Sequence, residues 1–247
     1  MDYFYLTDSG KVRSQNEDSV IVVKNAAGEY LLAVADGMGG HRGGEIASSI
    51  AISHVGKRFT EVGSIGTKED AVRWISDCAS EANALIYKYT GEHPESVGMG
   101  TTLVMAVMTY NFLLFGNIGD SSGYVYNNKK IYKITSDHTL VNLLVKSGEI
   151  TEEEAKEHPR KNVLMKALGA NITVDVDIFD VETDIDGIML CSDGLTNMLD
   201  EDQIAKVLSE KNSLEDRLTK LITKSNNRGG TDNISIAFLE KKDGVVK

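Results

Sequence analysis

The sequence predicts an α+β fold in which helices pack on antiparallel β-sheets. Short apolar segments rich in β-branched and aromatic residues occur in clusters, and pairs of segments with helical periodicity stand between these clusters. The strict alternation of strand and helix that builds a doubly wound parallel sheet is absent. The 247 residues contain no internal repeat, linker or low-complexity run, and they suffice to bury a substantial core. We therefore expect one domain over residues 1–247.

The N-terminal part of the chain predicts three strands and then two helices. The strand segments are YFYLTD, SVIVVK and YLLAVAD. The helical segments are EIASSIAISHVGKRF and EDAVRWISDCASEANALIYKY. In the second of these, the apolar residues recur at helical spacing and form one stripe: Val72, Ile75, Ala79, Ala82, Ile86 and Tyr89.

The rest of the chain continues this pattern. The segments TTLVMAVMTY and FLLFGNIG predict paired strands, and SGYVY-NN-KKIYKIT predicts a hairpin that turns at the two asparagines. A polar, helical stretch is expected over about 141–171, where Thr151 and Glu154 form a capping box for a short helix that ends before Pro159. Strands then follow at VDVDIFDV and GIMLCSD, helices at EDQIAKVLSE and SLEDRLTKLITKSNN, and a last strand at NISIAFLE.

Composition excludes several classes of protein. Hydrophobic residues make up 41% and charged residues 26%, which argues against a disordered chain, and the net charge of −11 opposes binding to nucleic acid or an anionic membrane surface. No secretory signal is visible in MDYFYLTDSG, and the most apolar stretch is too short to span a bilayer. Cys78 and Cys191 are expected to be buried free thiols, which suits a reducing compartment. We expect a cytoplasmic protein.

Acidic residues stand at the ends of several predicted strands, next to glycine or small polar residues. These residues are Glu17, Asp18, Asp36, Asp120, Asp193 and Asp232. A single Asp-Gly pair such as Asp36-Gly37 usually marks a turn. Five such strand ends can converge at one edge of the sheets, where their carboxylates would repel each other unless cations neutralise them. Oxygen ligands favour Mg²⁺, Mn²⁺ or Ca²⁺, and the lack of paired Cys or His ligands argues against zinc.

The order of these motifs resembles a known family. The segments NEDS, ADGMGGH, GMGTT, GNIGDS, TSDH, CSDGL and GGTDNIS are similar to those of the metal-dependent PPM/PP2C serine/threonine protein phosphatases, and most closely to the short bacterial single-domain members. The resemblance covers nearly the whole chain. It implies a four-layer αββα sandwich, with two antiparallel sheets inside, helix pairs outside, and a metal site at one edge of the sheets.

The resemblance also implies a role for each acidic residue. Asp36 would bridge two Mn²⁺ or Mg²⁺ ions together with the main-chain carbonyl of Gly37, and Asp193 and Asp232 would complete the first metal site. Glu17 and Asp18 would act near the second ion through water. Asp120, with Asp193, would hold a third, weaker ion.

Two further residues would serve the reaction that the resemblance implies. A hydroxide shared by two cations would attack phosphorus in line. Arg13 would bind the substrate phosphate, for which its planar guanidinium is well shaped. His41 would be the general acid, because a serine or threonine alkoxide is a poor leaving group. The glycines after Asp36 would let the backbone turn tightly beside the ions and bring His41 to the site.

Two other functions remain open at this stage: a catalytically silent PP2C-like binding module and a metal-dependent phosphatase of small molecules. A silent member would be expected to lack one of Asp36, Asp193 or Asp232, and all three are present. The expected partners are phosphoproteins, among them a bacterial serine/threonine kinase and its substrates. We expect no nucleic acid or membrane partner and a monomeric protein.

The sequence departs from the family pattern at one motif. The family usually has GDSR where this chain has GDSSGY, so Ser122 replaces an arginine and the Asp120 loop loses a guanidinium. We expect weaker binding of the third ion.

The stretch at about 141–171 corresponds to the flap of bacterial relatives, which can influence substrate choice. His138, in TSDHT, is expected to serve structure or to contact the edge of the substrate.

Overall fold

The computed structural model describes residues 1–40 and 42–241, and this part of the chain forms two antiparallel sheets. The spatial order in the first sheet is β1 (Asp2–Asp8), β11 (Ile234–Glu240), β10 (Gly187–Cys191), β7 (Ser122–Asn127) and β8 (Lys130–Lys133). The order in the second sheet is β2 (Asp18–Lys24), β3 (Tyr30–Met38), β5 (Leu103–Met108), β6 (Leu113–Ile118) and β9 (Asp177–Val181). The short β4 (Gly100–Thr101) pairs with the end of β3.

Helix pairs cover the outer faces of both sheets. Helices α1 (Gly43–Glu61) and α2 (Lys68–Glu92) pack on the second sheet, and α6 (Glu201–Leu208) and α7 (Leu214–Asn227) pack on the first. The connection between β8 and β9 carries the short helices α3 (Leu140–Lys146) and α4 (Glu152–Glu157), and α5 (Asp193–Thr196) follows β10 directly. A single 3₁₀ turn, Pro94–Ser96, follows α2.

Strand β3 shows how the sequence produces these layers. Successive side chains of a strand point to opposite faces of the sheet. Leu31 and Ala33 pack against the helices α1 and α2, whereas Leu32 and Val34 lie in the core between the two sheets. A strand that is covered on both faces needs an uninterrupted apolar run, which explains why LLAVA does not alternate with polar residues. The α+β prediction and the implied four-layer sandwich are confirmed.

The hairpin between β7 and β8 turns one residue later than the sequence suggests. Asn127 still pairs with Lys130, so the turn consists of Asn128 and Lys129, with φ of 50° and 62°. The sequence predicts a turn at Asn127 and Asn128, whereas the observed turn contains one asparagine and one lysine. Asparagine adopts the left-handed conformation readily, whereas lysine does so less often, and the strand register fixes both positions.

The segment predicted as helical over 141–171 is helical only in α3 and α4. Thr151 and Glu154 form the predicted capping box of α4, and the helix ends before Pro159. After Pro159 the chain stays irregular, apart from isolated bridges that pair Leu164 with Thr139 and Leu168 with Thr101. Single apolar residues of this segment pair with residues elsewhere in the chain, and they do not line one face of a helix. Likewise, β9 begins at Asp177, three residues later than the start of VDVDIFDV.

Both cysteines are buried and unpaired, as predicted. Cys78 lies in α2 and belongs to the core between this helix and the second sheet, and Cys191 is the last residue of β10. In residues 1–40 and 42–241, no helix has the length and apolar character needed to cross a bilayer.

Candidate active site

Acidic residues from both sheets meet at one end of the sandwich. Asp18 and Asp36 lie directly opposite each other in the pairing of β2 with β3. In the other sheet, Asp193 follows β10 and Asp232 precedes β11, and these two strands are neighbours. The hydroxyl of Ser192 donates a hydrogen bond of 2.7 Å to Asp18 Oδ2 and thereby joins the two sheets at this point.

Asp36, Asp193 and Asp232 border a cleft of about 260 Å³. Its lining includes the sequence-predicted residues Arg13, Glu17, Asp36, Gly37, Asp120, Asp193 and Asp232. Asn162 and Leu164, from the connection between β8 and β9, form part of the opposite wall. Asp18 is 7% exposed and lies behind the cleft. The structure thus brings together every predicted site residue that it describes, and His41 lies outside the described residues.

Desolvation controls the charge of the innermost carboxyls. It raises the pKa of Asp36 well above the usual range, and the negative charges of Asp18, Asp193, Asp120 and Asp232 act in the same direction. Burial also raises the pKa of Asp18 to about 7, although hydrogen bonds from Ser192 and Ser235 oppose the shift. Without a cation, the cluster therefore retains protons at a pH where isolated carboxyls have lost them.

Asp193 also has a carboxylate oxygen that lacks a hydrogen-bond partner among the described residues. Desolvation and then the charge of Asp232 raise the pKa of Asp193, against opposing hydrogen bonds from Asn197 and Asp36. Asn197 Nδ2 donates to Asp193 Oδ2 at 3.0 Å. The other oxygen of Asp193, Oδ1, is buried and has no hydrogen-bond partner in the described part of the chain, and the same holds for Asp18 Oδ1. Two buried carboxylate oxygens without partners fit a cation and its water ligands, since such oxygens are costly to leave unsatisfied.

The backbone of Asp36 is fixed by two threonines that the sequence analysis did not single out. The amide of Asp36 donates to Thr102 Oγ1 at 2.9 Å, and its carbonyl accepts from Thr102 N and from Thr101 Oγ1, each at 2.9 Å. Thr102 Oγ1 also lies 2.8 Å from Ser121 Oγ, next to Asp120. The two threonines therefore connect two of the acidic loops.

Gly37 explains part of the glycine-rich stretch. A Cβ at this position would collide with the carbonyl oxygens of Gly44 and Glu17. Only glycine lets the end of β3 pass between the first turn of α1 and the loop before β2. The prediction that the glycines let the backbone turn beside cations and bring His41 to the site stays a prediction.

The N-terminal loop that carries Arg13 and Glu17 is held by Asn233. Asn233 Oδ1 accepts from the amide of Glu17 at 2.8 Å, and Asn233 Nδ2 donates to the carbonyls of Ser9 and Gln15 at 3.0 and 2.9 Å. Arg13 Nη2 in turn lies 2.9 Å from Asp232 Oδ2. Asn233 positions a loop and was missed by the sequence analysis, as were Ser192, Thr101 and Thr102. Each of them stands within one of the quoted motifs, and that proximity was the available signal.

The side chains alone do not form a closed metal cage. In residues 1–40 and 42–241, no three His, Cys, Asp or Glu side chains are gathered into a ready ligand set. Asp232 faces Arg13 and Asp193 faces Asn197 instead. Any cation here would need ligands in addition to side chains, and main-chain carbonyls and water are the usual ones for Mg²⁺.

The sequence and the fold match those of known proteins. The family model described as protein phosphatase 2C matches residues 10–232. The chain belongs to the protein phosphatase 2C family. It is therefore an enzyme of the phosphoprotein phosphatase class, a hydrolase.

Bacterial members of the protein phosphatase 2C family match almost the whole chain. The serine/threonine phosphatase stp of Listeria monocytogenes is 40% identical over 238 residues, which cover 96% of this chain and 94% of that protein. The protein phosphatase PhpP of Streptococcus pneumoniae is 35% identical and is covered to 98%, as is this chain. The solved structure of the S. agalactiae serine/threonine phosphatase has a TM-score of 0.92 at 36% identity, with 98% of this chain and 99% of that chain covered.

Proposed function

We propose that this protein phosphatase 2C member hydrolyses phosphoserine and phosphothreonine in proteins with the help of two Mn²⁺ or Mg²⁺ ions. The observation that carries the proposal is the set of desolvated carboxyls at one end of the sandwich. Among the described residues, Asp18 and Asp193 each have a buried oxygen without a partner, and the pKa values of Asp18, Asp36 and Asp193 are raised mainly by burial. Such a cluster gains most from divalent cations, which neutralise it.

The acidic residues divide into three proposed roles. Asp36 would help to hold both ions, with the carbonyl of Gly37 as a further ligand, and Asp193 and Asp232 would complete one site. Glu17 and Asp18 would bind the second ion's water ligands. Asp120, together with Asp193, would hold a third, weaker ion. When bound, the paired ions would supply Lewis acidity that activates water and neutralises phosphate charge.

Arg13 is proposed to bind the substrate phosphate. It lies at the open side of the cleft, and its side chain is 51% exposed. One of its nitrogens already contacts a carboxylate oxygen, Asp232 Oδ2, which shows that the guanidinium reaches the acidic cluster. A guanidinium can present two parallel donors to phosphate oxygens.

His41 is proposed as the acid that protonates the leaving serine or threonine oxygen. It lies outside the described residues, so this role depends on the family motif ADGMGGH alone. The chemical need is clear, because an alkoxide departs poorly unless it receives a proton.

The connection between β8 and β9 is proposed to act as a flap, about 141–171, on a single catalytic domain. Its residues Asn162 and Leu164 form one wall of the cleft, where a peptide on either side of the phosphorylated residue would pass. We propose phosphoproteins as substrates, including a bacterial serine/threonine kinase and its targets, and a monomeric enzyme.

The decisive experiment measures phosphate release from a phosphothreonine peptide by the wild type, with Mn²⁺ and with chelator. Asp193→Ala should abolish the metal-dependent release, whereas Asp202→Ala, an exposed acid on α6, should leave it unchanged. No release with any divalent metal from folded wild-type protein would contradict the proposal and favour a silent binding module. Release from p-nitrophenyl phosphate but from no phosphopeptide would favour a phosphatase of small molecules.

A further inference from the structure

His138 makes hydrogen bonds with both its ring and its backbone, and it lies beside the loop that ends in Asp120. Its ring atom Nδ1 accepts a hydrogen bond of 3.0 Å from the amide of Gly119, and its own amide donates to the Gly119 carbonyl at 2.9 Å. Its carbonyl accepts from the amide of Met165, in the segment between β8 and β9, at 2.7 Å. The side chain is only 12% exposed. His138 therefore joins the loop that ends in Asp120 to the proposed flap.

Gly119 is the residue through which this contact reaches Asp120. Its φ of +104° lies in the region that favours glycine, and a Cβ there would collide with the side chain of Thr102. The conformation of Gly119 sets the direction in which the next residue, Asp120, leaves the strand. Asn117 also bonds Gly119, because its Nδ2 donates to the Gly119 carbonyl at 3.2 Å.

The hydrogen bond to Gly119 also determines where the ring proton lies. Since Nδ1 accepts a hydrogen bond from a backbone amide, the proton of the neutral ring must be on Nε2. Nε2 lies 3.1 Å from Asp177 Oδ2, although the direction of this contact is too bent for a full hydrogen bond. Asp177 Oδ1 in turn accepts from Lys166 Nζ at 2.9 Å. An ionised Asp177 facing Nε2 favours the tautomer that Gly119 requires.

We propose that His138 is a positioning residue for Asp120 and that it acts through the Nδ1 acceptor of its ring. The proposal depends on the proposed function, in which Asp120 helps to hold the third, weaker cation. His138 would then hold the Asp120 loop in place, in a chain that lacks the arginine usual at position 122. Ser122 itself is 2% exposed and pairs with Cys191 within the first sheet, so its side chain does not replace that arginine at the cleft.

Two substitutions separate the two faces of the ring. In His138→Asn, the amide oxygen can take the place of Nδ1 and accept from Gly119. In His138→Gln, the longer side chain places its amide near Nε2 and Asp177 but offers no acceptor to Gly119. A residue that matters only as buried packing would respond similarly to both changes, whereas the proposal predicts different responses.

The experiment is a calorimetric titration of the wild type and both variants with Mn²⁺, accompanied by their melting temperatures and phosphopeptide hydrolysis. We expect the weakest Mn²⁺ site to be about tenfold or more weaker in His138→Gln and nearly unchanged in His138→Asn, because a lost outer contact of a metal ligand costs 10–100-fold in affinity. The tighter Mn²⁺ sites should be the same in all three proteins. Asp120→Asn provides the reference for loss of the weakest site.

Equal weakening in both variants, no weakening in either, or no weak site in the wild type would overturn the assignment of His138. If both variants fail to fold, Asp177→Ala keeps His138 and its bond to Gly119 but removes the contact at Nε2. The weakest Mn²⁺ site should then stay nearly unchanged, and a tenfold weakening of that site would overturn the assignment. The proposed function fails separately: wild-type protein that binds Mn²⁺ in the expected pattern but releases no phosphate from peptides would contradict the function and leave the His138 assignment standing.

Discussion

Arg13 Nη2 and Asp232 Oδ2 form an ion pair of 2.9 Å at the mouth of the acidic cleft. The guanidinium proposed to receive phosphate thus neutralises a carboxylate proposed to bind a cation. A cation at Asp232 would compete for the same oxygen and weaken the pair, which would leave Arg13 available to an incoming phosphate. On this interpretation, cation binding at Asp232 and phosphate binding at Arg13 are coupled through the ion pair between the two side chains.

Arg13→Ala tests the coupling from the side of the substrate. We expect kcat/KM for a phosphothreonine peptide to fall by about 10–100-fold, because hydrogen bonds to charged groups contribute about 1.5–3 kcal/mol. Mn²⁺ affinity should stay equal or increase, since the substitution removes a positive charge that competes for Asp232. Steady-state kinetics and calorimetry measure the two quantities, with Lys11→Ala as the control for an exposed cation of the same loop. Weaker Mn²⁺ binding in Arg13→Ala would contradict the proposed competition.

The pH dependence of the metal-free protein provides a second prediction. Burial raises the pKa of Asp18 to about 7, from an ordinary value of 3.8, so between these values the folded state binds more protons than the unfolded state. The free energy of unfolding therefore decreases as pH rises through this window and the loss is complete above pH 7. Asp120, whose pKa burial also raises to about 7, acts in the same sense. We expect a decrease on the order of 2–4 kcal/mol between pH 5 and pH 8 in chelator.

Urea denaturation at a series of pH values measures this effect. Asp18→Asn should flatten the pH dependence, because an amide imitates the protonated acid and cannot become charged. Asp202→Asn, on the exposed face of α6, should leave the dependence as it is in the wild type. A metal-free protein that is equally stable at pH 5 and pH 8 would show that these carboxyls are not desolvated as described.

Much of the fold followed from patterns that the sequence carries locally. The uninterrupted apolar run of β3 is typical of a strand buried on both faces, and the apolar stripe on α2 is typical of a helix buried on one face. The capping box at Thr151 was visible because both of its residues lie within one turn of helix. The acids of the cleft were found because each stands at a strand end beside glycine or a small polar residue.

Other features depend on contacts between distant segments and left little trace in the sequence. Asn233 was overlooked because its partners Ser9 and Gln15 are more than 200 positions away, and asparagine is common in ordinary turns. The irregular chain after Pro159 resembled a helix by its polarity alone. The turn at Lys129 followed from the pairing of Asn127 with Lys130, a matter of register that composition does not determine.

Asn83 provides a third prediction, which concerns the base of the proposed flap. This residue of α2 is 1% exposed and makes hydrogen bonds of 2.7, 2.9 and 3.0 Å with Gly169 N, Asn171 O and Ile172 O. Asn83→Ala should lower the free energy of unfolding by about 1–3 kcal/mol, because it leaves buried backbone groups without partners. Chemical denaturation measures the change, and Ser80→Ala on the exposed side of the same helix should change stability little.

The anchor at Asn83 should also affect the flap itself. Loss of its bonds removes the attachment of residues 169–172 to α2, so proteolytic cleavage between β8 and β9 should become faster in Asn83→Ala than in Ser80→Ala. Equal cleavage rates and equal stability in the two variants would show that these hydrogen bonds contribute nothing to holding the segment.

Mn²⁺ should stabilise the folded protein by an amount that reports directly on the acidic cluster. A ligand that binds only the folded state raises the free energy of unfolding by about 2.7 kcal/mol when its concentration is 100 times its Kd. The cluster contributes to this effect through the Kd, since cations relieve the repulsion among Asp36, Asp193 and Asp232 and satisfy the buried oxygen Asp193 Oδ1. We expect a melting temperature that rises with Mn²⁺ concentration and returns to its starting value with chelator. Asp193→Ala should lose most of the increase while Asp202→Ala keeps it, and a wild-type melting temperature indifferent to millimolar Mn²⁺ would exclude a cation site in the cleft.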